Sequence, residues 1–333
     1  MNNASKTPKL ASAEDTSIKR ATRAAFGVTL AELADAGVPV VAVDADLSGS
    51  TTTAKFANAA PEYKNRLFNC GIAEQNMIDV AAGLSLCGNI AFTGSFAVFG
   101  TGRAYDQIRN TVCYSNLNVK ICPTHAGISV GPDGGSHQML EDIALMRVLP
   151  NMRVLVPADY AAARAAIKLA ALTPGPVYVR MGRASVPCVY DEGADFEMGR
   201  AYVLREGSDV SIIACGVEIR EALLAADMLD AQGISAEVID AFSVKPLDEE
   251  TILASAAKTR HVVVAEEHSV IGGLGSAVAD LLSRKLPVPM SFVGMQDVFG
   301  KSGEFEELLS YFNLDAAAIV EAVKSLKVGE LVC

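Results

Sequence analysis

This 333-residue chain is short of basic residues: 28 Lys and Arg stand against 39 Asp and Glu, a formal net charge of −11. A chain that acidic repels phosphate backbones and anionic lipid, which excludes nucleic acid and membrane surfaces as partners. No stretch approaches the ~18 apolar residues without a charge that a bilayer span needs. Met1 to Glu14 is polar and lacks an apolar signal core. It is expected to be a disordered arm over residues 1–12, and the protein to be cytoplasmic. No Cys-x-x-Cys pair and no metal-like cysteine spacing occur. The seven cysteines are an odd number, and Cys70, Cys87, Cys113, Cys122 and Cys215 fall in apolar segments. That reads as reduced, buried thiols and not as a disulfide framework. Short internal repeats and low-complexity tracts are also missing.

What is present is apolar and periodic. Half of the residues are hydrophobic, enough for the cores of two ordinary domains. Continuous apolar runs at 38–43, 117–122, 152–156 and 176–180 alternate with helical spacing at 17–36, 73–87, 103–115, 137–148 and 160–172. Buried strands alternating with helices mean a parallel sheet covered on both faces. Pro187, four acids and two glycines interrupt the rhythm between 184 and 200, and a second alternating unit follows. The fold class is therefore α/β, with two doubly wound domains: one over 13–186, a linker over 187–200, and a smaller one over 201–333.

Four stretches carry candidate chemistry. Gly71-Ile-Ala-Glu-Gln-Asn-Met77 turns from a strand into a helix, which puts Glu74 in a first helical turn at the sheet edge where open α/β folds bind ligands. A carboxylate there is also favoured by the helix dipole alone. Thr93-Gly-Ser-Phe-Ala-Val-Phe-Gly100 sets Phe96 and Phe99 three apart among glycines, either as core packing or as walls for a flat ring. The loop Thr124-His-Ala-Gly-Ile-Ser-Val-Gly-Pro-Asp-Gly-Gly-Ser-His-Gln138 gathers His125, Asp133 and His137 on glycine-supported backbone. His125 and His137 lack a third clear partner for a metal. Gly273-x-Gly275 follows a strand like a dinucleotide turn, but Val278 stands where the third glycine belongs, which favours a structural turn over NAD.

These motifs, with Leu155-Val-Pro-Ala-Asp159, stand in the order and spacing of the transketolases, and the chain resembles the C-terminal part of that family from about Thr16 to about Leu314. It looks most like the C-terminal subunit of split transketolases. The resemblance implies a pyrimidine-binding domain for thiamine diphosphate, followed by a transketolase C-terminal-type domain. The family's diphosphate-binding domain has no counterpart here, and its metal motif, Gly-Asp-Gly, occurs nowhere in the chain. The resemblance therefore implies a cofactor shared with a separate N-terminal diphosphate-binding subunit, Mg²⁺ or Ca²⁺ held by that subunit, and an α2β2 assembly acting on sugar phosphates. It implies no metal ligand in this chain.

Residue roles follow from the same resemblance. Glu74 would hydrogen-bond the aminopyrimidine ring, its carboxyl kept protonated by burial against apolar surface. Phe96 and Phe99 would pack on that ring, with Gly102 where some relatives have a third aromatic. His137 and Asp133 would meet sugar hydroxyls, with His137 also catalytic. Arg23, Ser50, His125 and Arg180 would bind substrate phosphate, with Arg183 a rival for the place of Arg180. Asp46 would orient the adjoining Ser/Thr loop or the cofactor neighbourhood. The activity implied is transfer of a two-carbon ketol unit. Alternatives are the beta subunit of a 2-oxo-acid dehydrogenase, a deoxyxylulose-phosphate-synthase-like enzyme, or a non-catalytic regulatory subunit; an NAD-dependent oxidoreductase is a fourth.

Overall fold

The strand Val40–Asp44 is buried along its whole length, which requires cover on both faces. Its alternating side chains divide accordingly: Val40 and Ala42 enter one hydrophobic cluster, Val41 and Val43 another. The computed structural model describes residues 7–12 and 15–328, and both units of the expected α/β fold are among them. The first sheet has seven strands in the order Ser243–Lys245, Arg153–Leu155, Val177–Val179, Val119–Ile121, Ile90–Gly94, Val40–Asp44, Leu67–Asn69. All pair in parallel except Ser243–Lys245, which the second unit contributes as an antiparallel edge. The second sheet runs Met290–Met295, Val262–Ser269, Val210–Ala214, Ala236–Asp240, Tyr202–Arg205, the last strand antiparallel.

Helices form where spacing and caps agree. Tyr160–Leu172 opens on Asp159, whose carboxylate accepts the Ala162 N–H at 2.8 Å. The second oxygen of Asp159 accepts from Val189 and Tyr190 N–H at 2.7 and 2.8 Å. The stretch 187–200 is thereby tied down: Tyr190 and Phe196 are buried and pack edge-on, and Phe196 lies against Phe242 of the second unit. Val189, Tyr190, Ala194 and Phe196 of the segment expected to link two domains enter the hydrophobic core.

Other expectations differ at their ends. The run 17–36 is helical only over Ala25–Asp35, because Lys19–Ala21 is drawn into a ribbon with Ser185–Pro187. Of the arm expected to be disordered, residues 1–6 lie outside the described residues, and residues 7–12 are anchored: Leu10 bridges Tyr190 and Ala11 N–H donates to Val189 O. Residues 137–148 are helical only over Asp142–Arg147, since Gly127 N–H bonds Met139 O and holds that stretch extended. The Ser/Thr loop after Asp46 forms two short helices, Ser48–Thr51 and Thr53–Ala59. The aromatic turn and the helix after it wind as π-helix over Val98–Arg103 and Ile108–Tyr114, a widening frequent near functional sites. The six cysteines among the described residues form no disulfide, and Cys87 is exposed at a helix end. No helix among the described residues is long and apolar enough to cross a membrane.

Candidate active site

Parallel strands deliver their following residues to one sheet edge, and the candidate residues gather there. Asp44 ends its strand fully buried and organises the loop beyond it. Its carboxylate accepts from Leu47 N–H at 2.6 Å and from the hydroxyls of Thr51 and Thr53 at 2.8 and 2.9 Å. Burial pushes this carboxyl up, and those donors oppose the shift. Asp44 thus holds the Ser/Thr loop, one of the two roles expected of Asp46. Asp46 is exposed, and it accepts from Asn69 Nδ2 at 3.1 Å, while Asn69 Oδ1 accepts Gly71 N–H at 2.8 Å. Asp46 is thus joined to the turn that carries Glu74.

Glu74 opens the helix Glu74–Leu86 with only 2% of its surface exposed. Its surroundings are not the purely apolar pocket expected for a neutral acid. The Arg103 guanidinium donates to Glu74 Oε2 at 2.9 Å and lies 4.5 Å above the Phe99 ring. Phe99 and Phe96 are nearly parallel, 14° apart, with centroids separated by 6.1 Å. His137 stands edge-on to Phe99 at 5.5 Å. His125 stacks on Phe96 at 3.7 Å, and its Nδ1 pairs with Thr124 Oγ1 at 2.7 Å.

Beyond His125 the site becomes cationic. Burial first, then Arg23, Arg183 and His137, push the His125 imidazole down to about 3, so it is a neutral hydrogen-bonding group near neutral pH. Arg23 lies in the tight turn Thr22–Ala24 and donates to Ser50 O at 2.7 Å. Burial and Arg183 both lower its pKa, and Asp133 opposes them, so these three charges share one neighbourhood. Arg183 is anchored through Val130 O at 3.0 Å.

Arg180 is elsewhere. It is buried, with Nε on Asp142 at 2.8 Å, Nη1 on Glu267 at 3.2 Å and Nη2 on the Glu267 carbonyl at 2.8 Å. Burial works against its charge, and Asp142 and Glu267 outweigh that and raise its pKa. Each nitrogen of Arg180 is held by a buried carboxylate or a carbonyl, which leaves the half-buried Arg183 as the more accessible candidate for a substrate phosphate.

The dinucleotide-like turn is also explained. Glu266 fills the N-terminus of the helix Leu274–Lys285, accepting from Leu274 and Gly275 N–H at 2.7 and 2.8 Å. A Cβ on Gly273 would fall 2.1 Å from Glu266 Oε2. The glycines admit the chain's own carboxylate where a dinucleotide would put its phosphate.

Residues 18–189 match the family model for the transketolase pyrimidine binding domain, and residues 199–319 that for the transketolase C-terminal domain. The chain belongs to the transketolase family. It is 49% identical to a putative transketolase C-terminal section from Methanocaldococcus jannaschii, over 90% of this chain and 94% of that one. It is 45% identical to a 6-deoxy-6-sulfo-D-fructose transketolase subunit from Clostridium sp., over 88% of this chain and 90% of that one. A solved structure described as a split gene transketolase, inactive beta4 tetramer, superposes with a TM-score of 0.83 at 52% identity, covering 93% of this chain and 99% of the other.

Transketolases use thiamine diphosphate, and the slot in this chain suits its aminopyrimidine. The Arg103 guanidinium stands in for that group: a flat, N–H-bearing cation laid on Phe99 and hydrogen-bonded to Glu74. A flat aminopyrimidine offers the same face, and its ring nitrogen can pair with the Glu74 carboxyl. Glu74, Phe96, Phe99, His125 and His137 meet in one continuous set of contacts, and the charges of Arg23, Arg183 and Asp133 adjoin it. Arg103 and Asp44 were legible by weaker signals. Arg103 is four residues beyond Phe99, and Asp44 is an acid ending an otherwise apolar strand.

Proposed function

We propose that this chain is the C-terminal subunit of a split transketolase, moving a two-carbon ketol unit from a ketose phosphate to an aldose phosphate. The observation that carries this reading is the continuity of the site. A buried acid and an aromatic slot run through His137 and His125 into an Arg23–Arg183 cluster. A 2-oxo acid carries its carboxylate beside the reacting carbonyl, so a cationic cluster at the far end of the slot favours a sugar ending in a tetrahedral oxyanion over the substrate of a 2-oxo-acid dehydrogenase. Phosphate and sulfonate both meet that description, and one relative is a subunit of a sulfofructose transketolase.

Thiamine diphosphate, when bound, supplies the carbon nucleophile. The side chains of this chain hold the aminopyrimidine and the sugar. Glu74 holds a ring nitrogen of the aminopyrimidine and so governs its proton. Phe96 and Phe99 fix the ring plane. His137 and Asp133 meet the sugar hydroxyls, with His137 placed to take and return a hydroxyl proton. Arg23, Arg183 and the Ser50 and His125 hydrogen-bonding groups hold the oxyanion end. Arg103 would have to leave Glu74 and Phe99 for the ring to lie between them.

A separate chain carrying the diphosphate-binding domain completes the site, two copies of each forming the assembly. The lack of Gly-Asp-Gly supports leaving the diphosphate and its Mg²⁺ or Ca²⁺ to that partner. A relative described as an inactive beta4 tetramer supports a resting state for chains of this type without the partner. Calorimetry with thiamine diphosphate and Mg²⁺ tests this. The isolated chain should bind weakly or not at all, and the two-chain mixture tightly; tight, Mg²⁺-dependent binding by the isolated chain contradicts the reading.

A further inference from the structure

We propose that Glu267 of the second unit is a positioning residue for the substrate loop 124–138, and this inference rests on the transketolase reading. Glu267 lies on the strand Val262–Ser269 with only 2% of its surface exposed, yet its carboxylate reaches into the first unit. Oε1 accepts the Ser129 N–H at 2.6 Å, a charge-assisted bond to the backbone of the loop itself. Gly127, two residues earlier, has φ +74, and a Cβ there would fall 2.2 to 2.4 Å from the three carboxyl atoms of Glu267. The loop therefore closes directly onto this side chain, with only a hydrogen in between.

Glu267 is itself held still. Arg180 grips both its side chain, at 3.2 Å, and its carbonyl, at 2.8 Å. Asp142 fixes the far side of Arg180 at 2.8 Å and takes the Tyr178 hydroxyl at 2.5 Å. The chain of contacts from Tyr178 through Asp142, Arg180 and Glu267 to Ser129 N–H is buried throughout. His125 precedes the clamped backbone by two residues in front of Gly127, and Asp133 and His137 follow Ser129 on the same loop. A second hold, Gln138 Nε2 on Lys301 O at 3.0 Å, secures the loop's far end from the second unit as well. The second unit thereby sets where the sugar-contacting side chains stand, without itself touching substrate.

A different role for Glu267 would be to balance the Arg180 charge and nothing more. Three variants separate the two. E267A removes acceptor and charge, E267Q keeps an acceptor for Ser129 N–H without the charge, and R180M/E267A removes both charges. Hydrogen exchange at the Ser129 amide is read on the chain alone, and steady-state kinetics on the complex with its diphosphate-binding partner. E267A should speed Ser129 exchange and raise KM for the sugar phosphate by about tenfold to a hundredfold. Cofactor affinity should stay within about twofold, since Glu74 and Phe99 are untouched. E267Q should recover most of the loss, and R180M/E267A none of it. Unchanged exchange and KM in E267A overturn the proposal, as does recovery in R180M/E267A with none in E267Q. If E267A does not fold, G127A puts the test from the loop side: its methyl displaces the carboxylate from Ser129 and leaves the Arg180 bond to the Glu267 carbonyl. An unchanged KM in G127A then overturns the proposal. Exchange is read without turnover, so a complex that transfers no ketol unit condemns the functional reading while the clamp is still decided.

Discussion

Arg180 and Arg183 are three residues apart and do different work, because one faces two buried carboxylates and the other faces the open loop. Arg183→Ala should raise KM for sugar phosphates by about tenfold to a hundredfold with little change in stability. Arg180→Met strands Asp142 and Glu267 without their cation, and unfolding should become easier by about 3–5 kcal/mol. Denaturation curves and kinetics on both variants check this; an Arg180 variant of normal stability with only a raised KM would return the phosphate role to Arg180. Glu74→Gln keeps shape and the Phe99 face but loses the carboxylate that governs the ring proton. Turnover of the complex should fall by ~10²–10⁴-fold, and proton–deuterium exchange at the thiazolium carbon should slow in step. Cofactor retention should persist, because the diphosphate contacts lie on the partner. Rapid-quench NMR reads the exchange, and an unchanged rate with lost turnover would move Glu74 to a substrate role.

Among the elements, the loop after Val40–Asp44 hangs from a single acid. Asp44→Ala removes three acceptor bonds at ~0.5–1.5 kcal/mol each, so thermal unfolding should show a loss of about 1.5–4.5 kcal/mol and faster proteolysis within 47–59. Native-like stability in that variant would mean the Ser48–Thr51 helix holds itself. The strands and long helices were legible because their signals are local: apolar runs, helical spacing, and Asp159 as a cap before Tyr160. Elements made by distant partners were not. Lys19–Ala21 reads as helix until Ser185–Pro187 pairs with it, and Ser243–Lys245 becomes a strand only beside Arg153–Leu155. The site divides the same way. Glu74, Phe96, Phe99 and His137 stand in contiguous motifs, whereas the choice between Arg180 and Arg183 turns on Glu267, which is 87 residues from Arg180 in sequence. Glu266-Glu267-His268 did carry a signal, since charged residues in a strand buried over most of its length must have partners.

At the scale of the whole molecule, two buried groups tilt stability with pH in opposite senses. Burial pushes the Asp240 carboxyl up to about 7 from 3.8, with the Tyr190 hydroxyl at 2.5 Å opposing. The folded chain keeps that proton between about 4 and 7 while the unfolded chain releases it, so this contribution is complete below about 4 and is lost as pH rises through about 7. For His125 the folded value of about 3 lies below the unfolded 6.5, so its contribution is present above about 6.5 and is lost as pH falls toward 3. Melting temperatures measured across this range should show Asp240→Asn abolishing the loss on the rising-pH side. A parallel wild-type and variant profile would mean that Asp240 ionises as readily folded as unfolded. The assembly itself is tested most directly by one coupled assay of two-carbon transfer between sugar phosphates, run on this chain, on the diphosphate-binding chain, and on their equimolar mixture with thiamine diphosphate and Mg²⁺. Transfer should occur only in the mixture and vanish when this chain carries Glu74→Gln. Transfer by this chain alone, or a cofactor-loaded mixture that transfers nothing from phosphorylated or sulfonated ketoses, would contradict a split transketolase.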